Sequence, residues 1–395
     1  MNSLRNSSSV QNLPEHVRHI EVNQIADIAN LARNDPNVIK LWIGEPDLPT
    51  PSFIIDATIE SMRSGETRYT YSRGLPDLHD ALVRYHQRHW QVEIDATRFS
   101  STIGGMNAIM QVFQSILEKD DEVVIPCPSW PNVLEAVQII GGHVTPVFYD
   151  ISADGTVSLS LDAIYAAVTD KTKAITINSP ANPTGWVMPK EDMIRLRDFA
   201  RTRGIWIVAD EVYTHFAYDE APAPSFLQIC EPADRLLVTN TFSKNWCMTG
   251  WRSGWVIYPE GMTQVFDNLS QYNTTSTPTF IQRGCIAALD QGDDFIKMQV
   301  VRCRQSRDIF SSALNQLPHV TAYKPRGTFY MWIAVDGVTQ GFDVAVAALK
   351  KTSVGIAPGS AFGPGGERFL RICFAVDPST AEDAADRLVH FLEEW

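Results

Sequence analysis

Between residues 122 and 257 one pattern recurs: a short run of apolar, mostly β-branched residues followed by a longer stretch of mixed polarity. The runs are Glu122-Val-Val-Ile125, Val144-Thr-Pro-Val-Phe148, Ala174-Ile-Thr-Ile177, Ile205-Trp-Ile-Val208, Leu236-Leu-Val238 and Gly254-Trp-Val-Ile257. Short, continuously apolar segments alternating with helical ones predict α/β architecture around a mostly parallel sheet flanked by helices. At 395 residues the chain exceeds the roughly 250–300 at which a single core stops growing, so a second domain is expected. From about residue 295 the pattern changes to a long charged helix, strands near 328–333 and 369–374, and a final helix, which together read as a smaller α+β domain. That last helix is expected to begin with a capping box, Ser379-x-x-Glu382, and to bury positions 381, 384, 385, 388, 391, 392 and 395.

Chemistry-bearing residues cluster where the predicted strands end. Lys244 lies just past the run at 235–239, with hydroxyls at Thr241 and Ser243 and a second cation at Arg252. Such a group suits an amine that forms a Schiff base beside a phosphate dianion, the chemistry of pyridoxal phosphate. That cofactor needs a buried carboxylate to keep its ring nitrogen protonated, and Asp210 ends the apolar run at 205–209, followed by Tyr213 as a donor to the ring oxygen. A third run leads into Asn182-Pro-Thr-Gly185, which holds an amide donor on a stiff loop. Each has a plainer reading alone: a lysine near a strand end, a helix N-cap aspartate, an ordinary turn. The three in this order are harder to obtain by accident.

Asn182-Pro-Thr-Gly185, Asp210-x-x-Tyr213, and Ser243-Lys244 with Arg252 eight residues on resemble the class I and II aminotransferases of pyridoxal phosphate fold type I. The likeness extends to Gly44-Glu-Pro-Asp47, to Tyr69 with Gly74, and to the strand carrying Arg371. It implies a seven-stranded-type sheet in a large cofactor-binding domain at 49–294, with 15–48 and 295–395 forming the small domain and 1–14 a flexible arm. By the same resemblance Lys244 is the Schiff-base lysine and the general base at the substrate Cα. Asp210 pairs with the ring nitrogen, Asn182 and Tyr213 contact the ring oxygen, and Trp130 stacks on the ring. Arg371, with Asn182 and Gly44, receives the substrate α-carboxylate, for which a planar guanidinium fork is well matched. The implied activity is transfer of the α-amino group of an amino acid to a 2-oxo acid. Elimination, racemisation or oxidation would use the same residues, but Met248-Thr-Gly-Trp-Arg252 resembles the aminotransferase form of this segment more than the lyase forms.

The phosphate is expected at the N-terminus of a helix whose periodicity starts just after Gly104 and Gly105, where free N–H groups and the helix dipole meet an anion. Met106 contributes only its backbone N–H there. Thr241, Ser243 and Arg252 complete the cradle, together with Tyr69 from a second subunit, so the resemblance implies a homodimer with shared active sites. Distal specificity is expected from residues 20–24, the Trp130 region and the partner's stretch 271–277.

The formal charge of −13 argues against nucleic-acid and membrane-surface partners. Neither an apolar stretch long enough to span a membrane nor a secretory signal is found, so a cytoplasmic protein is expected. The six cysteines are expected to be free thiols. His86 and His89 are read as a solvated helix face, and no metal site is expected.

Overall fold

The computed structural model describes residues 11–18, 20, 22, 24–152 and 155–395; the first ten residues of the expected arm, and Glu21 and Asn23 of the segment 20–24, lie outside the described residues. Seven strands form the main sheet: β1 (Phe99–Thr102), β2 (Glu122–Cys127), β3 (His143–Phe148), β4 (Thr172–Asn178), β5 (Trp206–Asp210), β6 (Leu236–Thr241) and β7 (Gly254–Ile257). Their spatial order is β1-β7-β6-β5-β4-β2-β3. Pairings from β6 across to β3 are parallel, and β7 runs antiparallel to both β6 and β1.

Helices that bear on the site are α1 (Gln24–Ala32), α2 (Pro76–Trp90), α3 (Gly104–Ile116), α4 (Asp293–Leu314) and α5 (Pro378–Glu393). Successive strand residues point to opposite faces, and here both faces are covered. Val124, Ile175, Ile207 and Val238 pack with Leu78 and Leu82 of α2, whereas Val123, Ala174, Val208 and Leu237 pack with Ala108, Val112 and Phe113 of α3. From β2 the chain steps outward to β3, then returns past β2 to β4 and continues in the other direction. That reversal leaves a crevice at the carboxyl ends of β2 and β4, where open α/β sheets receive ligands.

A second sheet is wholly antiparallel: β8 (Val320–Tyr323), β9 (Tyr330–Val335), β10 (Ala357–Pro358) and β11 (Phe369–Cys373), in the order β8-β9-β11-β10. Its core joins Ala381, Ala384 and Leu388 of α5 to Phe310 and Leu314 of α4, with Leu41 and Trp42. Arg371 sits on the inner strand β11, opposite Trp332 on one side and Ala357 on the other.

Several expectations are corrected. Strand β1, Phe-Ser-Ser-Thr, carries too little apolar signal to be recognised, yet all four residues are buried. Helix α3 starts at Gly104 itself, so the glycines form its first turn and do not precede it. Helix α5 begins at Pro378 and is capped by Asp377, whose carboxylate accepts the Ser379 N–H at 3.0 Å. Proline at the first helical position moves the start forward, and the Ser379 box does not form. Trp395 is 49 % exposed, outside the buried stripe of that helix.

His86 is not on a solvated face. It is buried one turn beyond Leu82 and extends the stripe Leu78–Leu82 into the core. Its Nδ1 lies 2.8 Å from the Leu82 carbonyl, and its ring packs against Trp90, Phe99 and Trp255. Burial lowers its pKa to about 4, so it is a neutral core imidazole. His89 is mostly covered as well, with Nε2 3.1 Å from Asp293 Oδ1.

Candidate active site

The carboxyl ends of the parallel strands and the inner face of the small sheet enclose a cavity of about 320 Å³. The loop after β2 brings in Trp130, the loop after β4 brings Asn182, and the end of β5 supplies Asp210 and Tyr213. Thr241 ends β6, Ser243 and Lys244 follow it, and Arg252 lies just before β7. The first turn of α3 contributes Gly105 and Met106, and the small-sheet side contributes Gly44 and Arg371. Of the predicted residues, Gly104 and Tyr69 are absent from the lining: a Cβ on Gly104 would meet the Arg252 guanidinium, and Tyr69 is 94 % exposed.

Backbone and side-chain hydrogen bonds fix the strand ends relative to one another. Asn178, the last residue of β4, accepts the Asn182 N–H at 2.8 Å and donates from Nδ2 to the Asp210 carbonyl at 2.9 Å. Arg371 donates from Nη1 to Asn182 Oδ1 at 3.1 Å and from Nη2 to the Trp42 carbonyl at 2.6 Å. Its guanidinium carbon lies 4.2 Å from the centre of the Tyr330 ring and 4.6 Å from that of Phe362. Nε of Arg371 is buried with no hydrogen-bond partner among the described residues, which leaves donor capacity for an anion at this end.

Desolvation sets the charges. Burial lowers the Lys244 pKa to about 8, and Nζ donates to the Gly44 carbonyl at 2.7 Å. Near neutral pH an appreciable share of this amine is therefore unprotonated and nucleophilic. Asp210 is 5 % exposed, and burial raises its carboxyl to about 7 against the opposing Val212 N–H and a long contact from Thr239 Oγ1 at 3.5 Å. A cation placed beside it would restore the charged form. Glu211 is also buried and pushed up to about 7, but it accepts from Ser225 Oγ at 2.7 Å and the Phe226 N–H at 2.9 Å, capping a short turn away from the cavity. Neighbouring acids thus have separate tasks.

The opposite end is built for an anion. Gly104 has φ +78°, and a Cβ there would run into the Arg252 guanidinium, while a Cβ on Gly105 would sit 3.4 Å from Thr241. Arg252 is held by donation from Nη1 to the Thr249 carbonyl at 2.9 Å, and the Thr241 and Ser243 hydroxyl oxygens are 2.9 Å apart. Free N–H groups of the first turn of α3 open between these side chains. A buried amine, a carboxylate in need of a cation and an anion cradle in one cavity fit pyridoxal phosphate. Gly104→Ala should weaken pyridoxal phosphate binding at least about tenfold, because it strains a left-handed backbone and displaces Arg252. Titration by tryptophan fluorescence checks this, and an unchanged affinity would remove Gly104 from the cradle.

Sequence reasoning missed part of the lining. Asn178 ends an apolar run as Asp210 does, so the strand-end rule could have found it. Tyr330 carries no such signal because it lies within the apolar strand β9. Its hydroxyl is 2.8 Å from that of Tyr213, and a Cβ on Gly44 would collide with it. Tyr330 therefore braces Tyr213 and supports Arg371. Ile25, Trp42, Ile43, Ile109, Asn132 and Val212 also reach the cavity; Val212 lies inside Asp210-x-x-Tyr213, and Ile43 and Asn132 lie close to Gly44 and Trp130, so the motifs marked their segments but not these side chains.

Comparison with known proteins places these residues in context. The family model described as aminotransferase class I and II matches residues 36–388. The chain is 34 % identical to a probable aspartate/prephenate aminotransferase of Aquifex aeolicus, over 91 % of this chain and 92 % of that protein. It is 31 % identical to aromatic-amino-acid aminotransferase 2 of Thermococcus litoralis, over 97 % and 98 %. Among solved structures, an alanine aminotransferase from Pyrococcus furiosus superposes with a TM-score of 0.90 at 26 % identity, covering 97 % of this chain and 100 % of that one.

Proposed function

The chain belongs to the class I and II aminotransferases, and on that premise we propose that Lys244 is the residue through which it holds pyridoxal phosphate. The enzyme moves amino groups from amino acids to 2-oxo acids, and its family depends on this cofactor. The observation that carries the assignment is a desolvated Lys244 amine sharing one cavity with the buried carboxylate of Asp210 and the incompletely bonded guanidinium of Arg371. When bound, pyridoxal phosphate supplies an aldehyde that takes up the amino group and a pyridine ring that draws electrons from the substrate Cα.

The protein's residues orient these groups and move the proton. With the cofactor bound, Asp210 would hold a proton on the ring nitrogen, Asn182 and Tyr213 would serve the ring oxygen and Trp130 the ring face. Gly104, Gly105 and the Met106 N–H receive the phosphate together with Thr241, Ser243 and Arg252. Arg371 grips the substrate α-carboxylate beside Asn182 and Gly44, fixing the Cα–H bond relative to the ring. With the cofactor and substrate bound, Lys244 would be the base that takes the proton from the substrate Cα.

We extend the proposal to assembly and organisation. Tyr69 and Tyr272 are 94 % and 86 % exposed, large rings whose burial would favour association. A homodimer with shared active sites would cover Tyr69 and bring it to the partner's phosphate. Residues 49–294 are taken as the large cofactor-binding domain, with 15–48 and 295–395 as the small one. Among the described residues no helix is long and apolar enough to cross a membrane. The cytoplasm is the proposed location, because six free cysteines suit a reducing compartment.

Borohydride treatment of the pyridoxal-phosphate-loaded protein tests the central assignment. Reduction should fix the cofactor to Lys244 as a stable secondary amine, found by peptide mapping, and bleach the visible band. Labelling at another lysine, or a protein that cannot be loaded, would refute the role of Lys244.

A further inference from the structure

Lys244 lies outside the strands and helices, in a turn that follows β6. Within that turn Cys247 has φ +53°, a left-handed conformation that a residue with a Cβ keeps only where its surroundings hold it. On the strand side the turn is steadied by Thr241, whose Oγ1 accepts the Ser243 N–H at 3.2 Å. Beyond Lys244 one side-chain amide does the same. Gln299, buried on α4, donates from Nε2 to the Asn245 carbonyl at 2.7 Å, and its Oε1 accepts from Cys247 Sγ at 3.1 Å.

The helix that carries this amide is itself fixed along its length. Ile296, one turn before Gln299, packs in the core that holds Val124 and Ile175 of the main sheet, whereas Phe310 and Leu314 pack in the core of the small sheet. Between them Arg302 donates to Asp47 at 2.8 Å, and Ser306 Oγ donates to the Val376 carbonyl at 2.9 Å. Gln299 thus reaches the turn from a rigid base.

We propose that Gln299 is a positioning residue for Lys244: by bonding to Asn245 and Cys247 together, it fixes the turn from which the amine meets the cofactor aldehyde and the substrate Cα. The proposal rests on the reading of Lys244 given above. Gln299 does not line the cavity, so it acts through the turn and touches neither cofactor nor substrate. Removing the amide would leave the Asn245 carbonyl without that donor inside the protein, and the turn would shift to find another. A displacement of about 1 Å in a reacting group can cost on the order of 100-fold in rate. An amide that served packing alone would lower stability when replaced and leave the chemistry of Lys244 in the folded protein unchanged.

Gln299→Met separates these roles, because methionine keeps the length of the side chain without its hydrogen bonds. Two rates are read well below Tm. At saturating pyridoxal phosphate the unloaded protein should form its visible band at least about tenfold more slowly than wild type, a step that needs no substrate. In the loaded protein, loss of that band with a saturating concentration of the fastest-reacting of the twenty common amino acids should also slow at least about tenfold. The half-saturating concentration should stay within about threefold of wild type, since Arg371 is untouched. Cys247→Ala removes one of the two bonds and should slow both steps less; added to Gln299→Met it should slow them no further, because both changes act through one contact. Wild-type rates for both steps in Gln299→Met, or a rise in the half-saturating concentration with the rate constants unchanged, would overturn the proposal, and borohydride labelling of Lys244 would still leave the parent reading standing. Labelling at another lysine would instead defeat that reading.

Discussion

Asp210→Asn should fold, retain pyridoxal phosphate, and lose kcat by a factor on the order of 10³ or more. The side chain stays nearly isosteric, so the cavity and the hydrogen bond between Asn178 and the residue 210 carbonyl are kept. On the proposed role, what disappears is the negative charge that would hold a proton on the ring nitrogen, and with it most of the electron withdrawal that proton removal from Cα needs. Arg371→Leu should act differently. It should raise KM for amino acids at least about 100-fold and leave the spectrum of the bound cofactor in place, as the proposed role of the guanidinium in holding substrate requires. An Asp210→Asn protein that keeps kcat and changes only KM, or an Arg371→Leu protein that loses the bound cofactor, would count against these roles.

The same aspartate should be visible in the pH dependence of stability. Its carboxyl ordinarily titrates near 3.8 and is raised to about 7 in the folded protein, so between those values the native state keeps a proton that the unfolded chain has released. Stability without cofactor therefore falls as pH rises through this window, and the cost of ionising a buried acid is fully present above about 7. A cation bound beside Asp210 removes that cost. The gain in Tm on adding pyridoxal phosphate should accordingly grow from pH 5 to pH 8 in the wild type and grow less in Asp210→Asn. Glu211 titrates in the same range, so the difference between the two proteins is the informative quantity. Identical increments in both would separate Asp210 from the cofactor.

Legibility in the sequence followed physical cause. Strands β2, β4, β5 and β6 are short apolar runs because both of their faces are buried, and the residues just beyond them face the crevice because parallel strands present their carboxyl ends together. Lys244, Asp210 and Asn182 could therefore be found from position and residue type. Strand β1 could not, since buried serines and threonines that satisfy one another, as Ser100 does with Ser270 and Ser101 with Thr277, leave no apolar trace. His86 was misjudged because a polar residue type masked a position one turn from Leu82 on the buried stripe. Tyr330 and Ile43 enter the site only through the packing of two sheets, a long-range outcome that no local spacing encodes.

Mixing two inactive proteins should restore activity if the site is shared between chains. Tyr69 is 94 % exposed and does not line the cavity of its own chain, whereas Lys244 and Arg371 line one cavity together. In a hybrid of Lys244→Ala with Tyr69→Ala, one site would draw its lysine from the Tyr69 variant and its tyrosine from the Lys244 variant, and so be intact. The other site would lack both. Activity should rise from near zero toward one working site per hybrid dimer. Pairing Lys244→Ala with Arg371→Leu should give no rescue, because those residues fail within the same chain and no arrangement reunites a native pair. The contrast between the two mixtures separates a shared site from mere stabilisation by association. Tyr69→Phe alone should weaken cofactor binding by about 1–2 kcal/mol, the scale of one hydrogen bond to a charged group. Rescue in neither mixture, with hybrids demonstrated by mass, would reject Tyr69 as the crossing residue, and full transamination by a dilute monomer would reject the shared site.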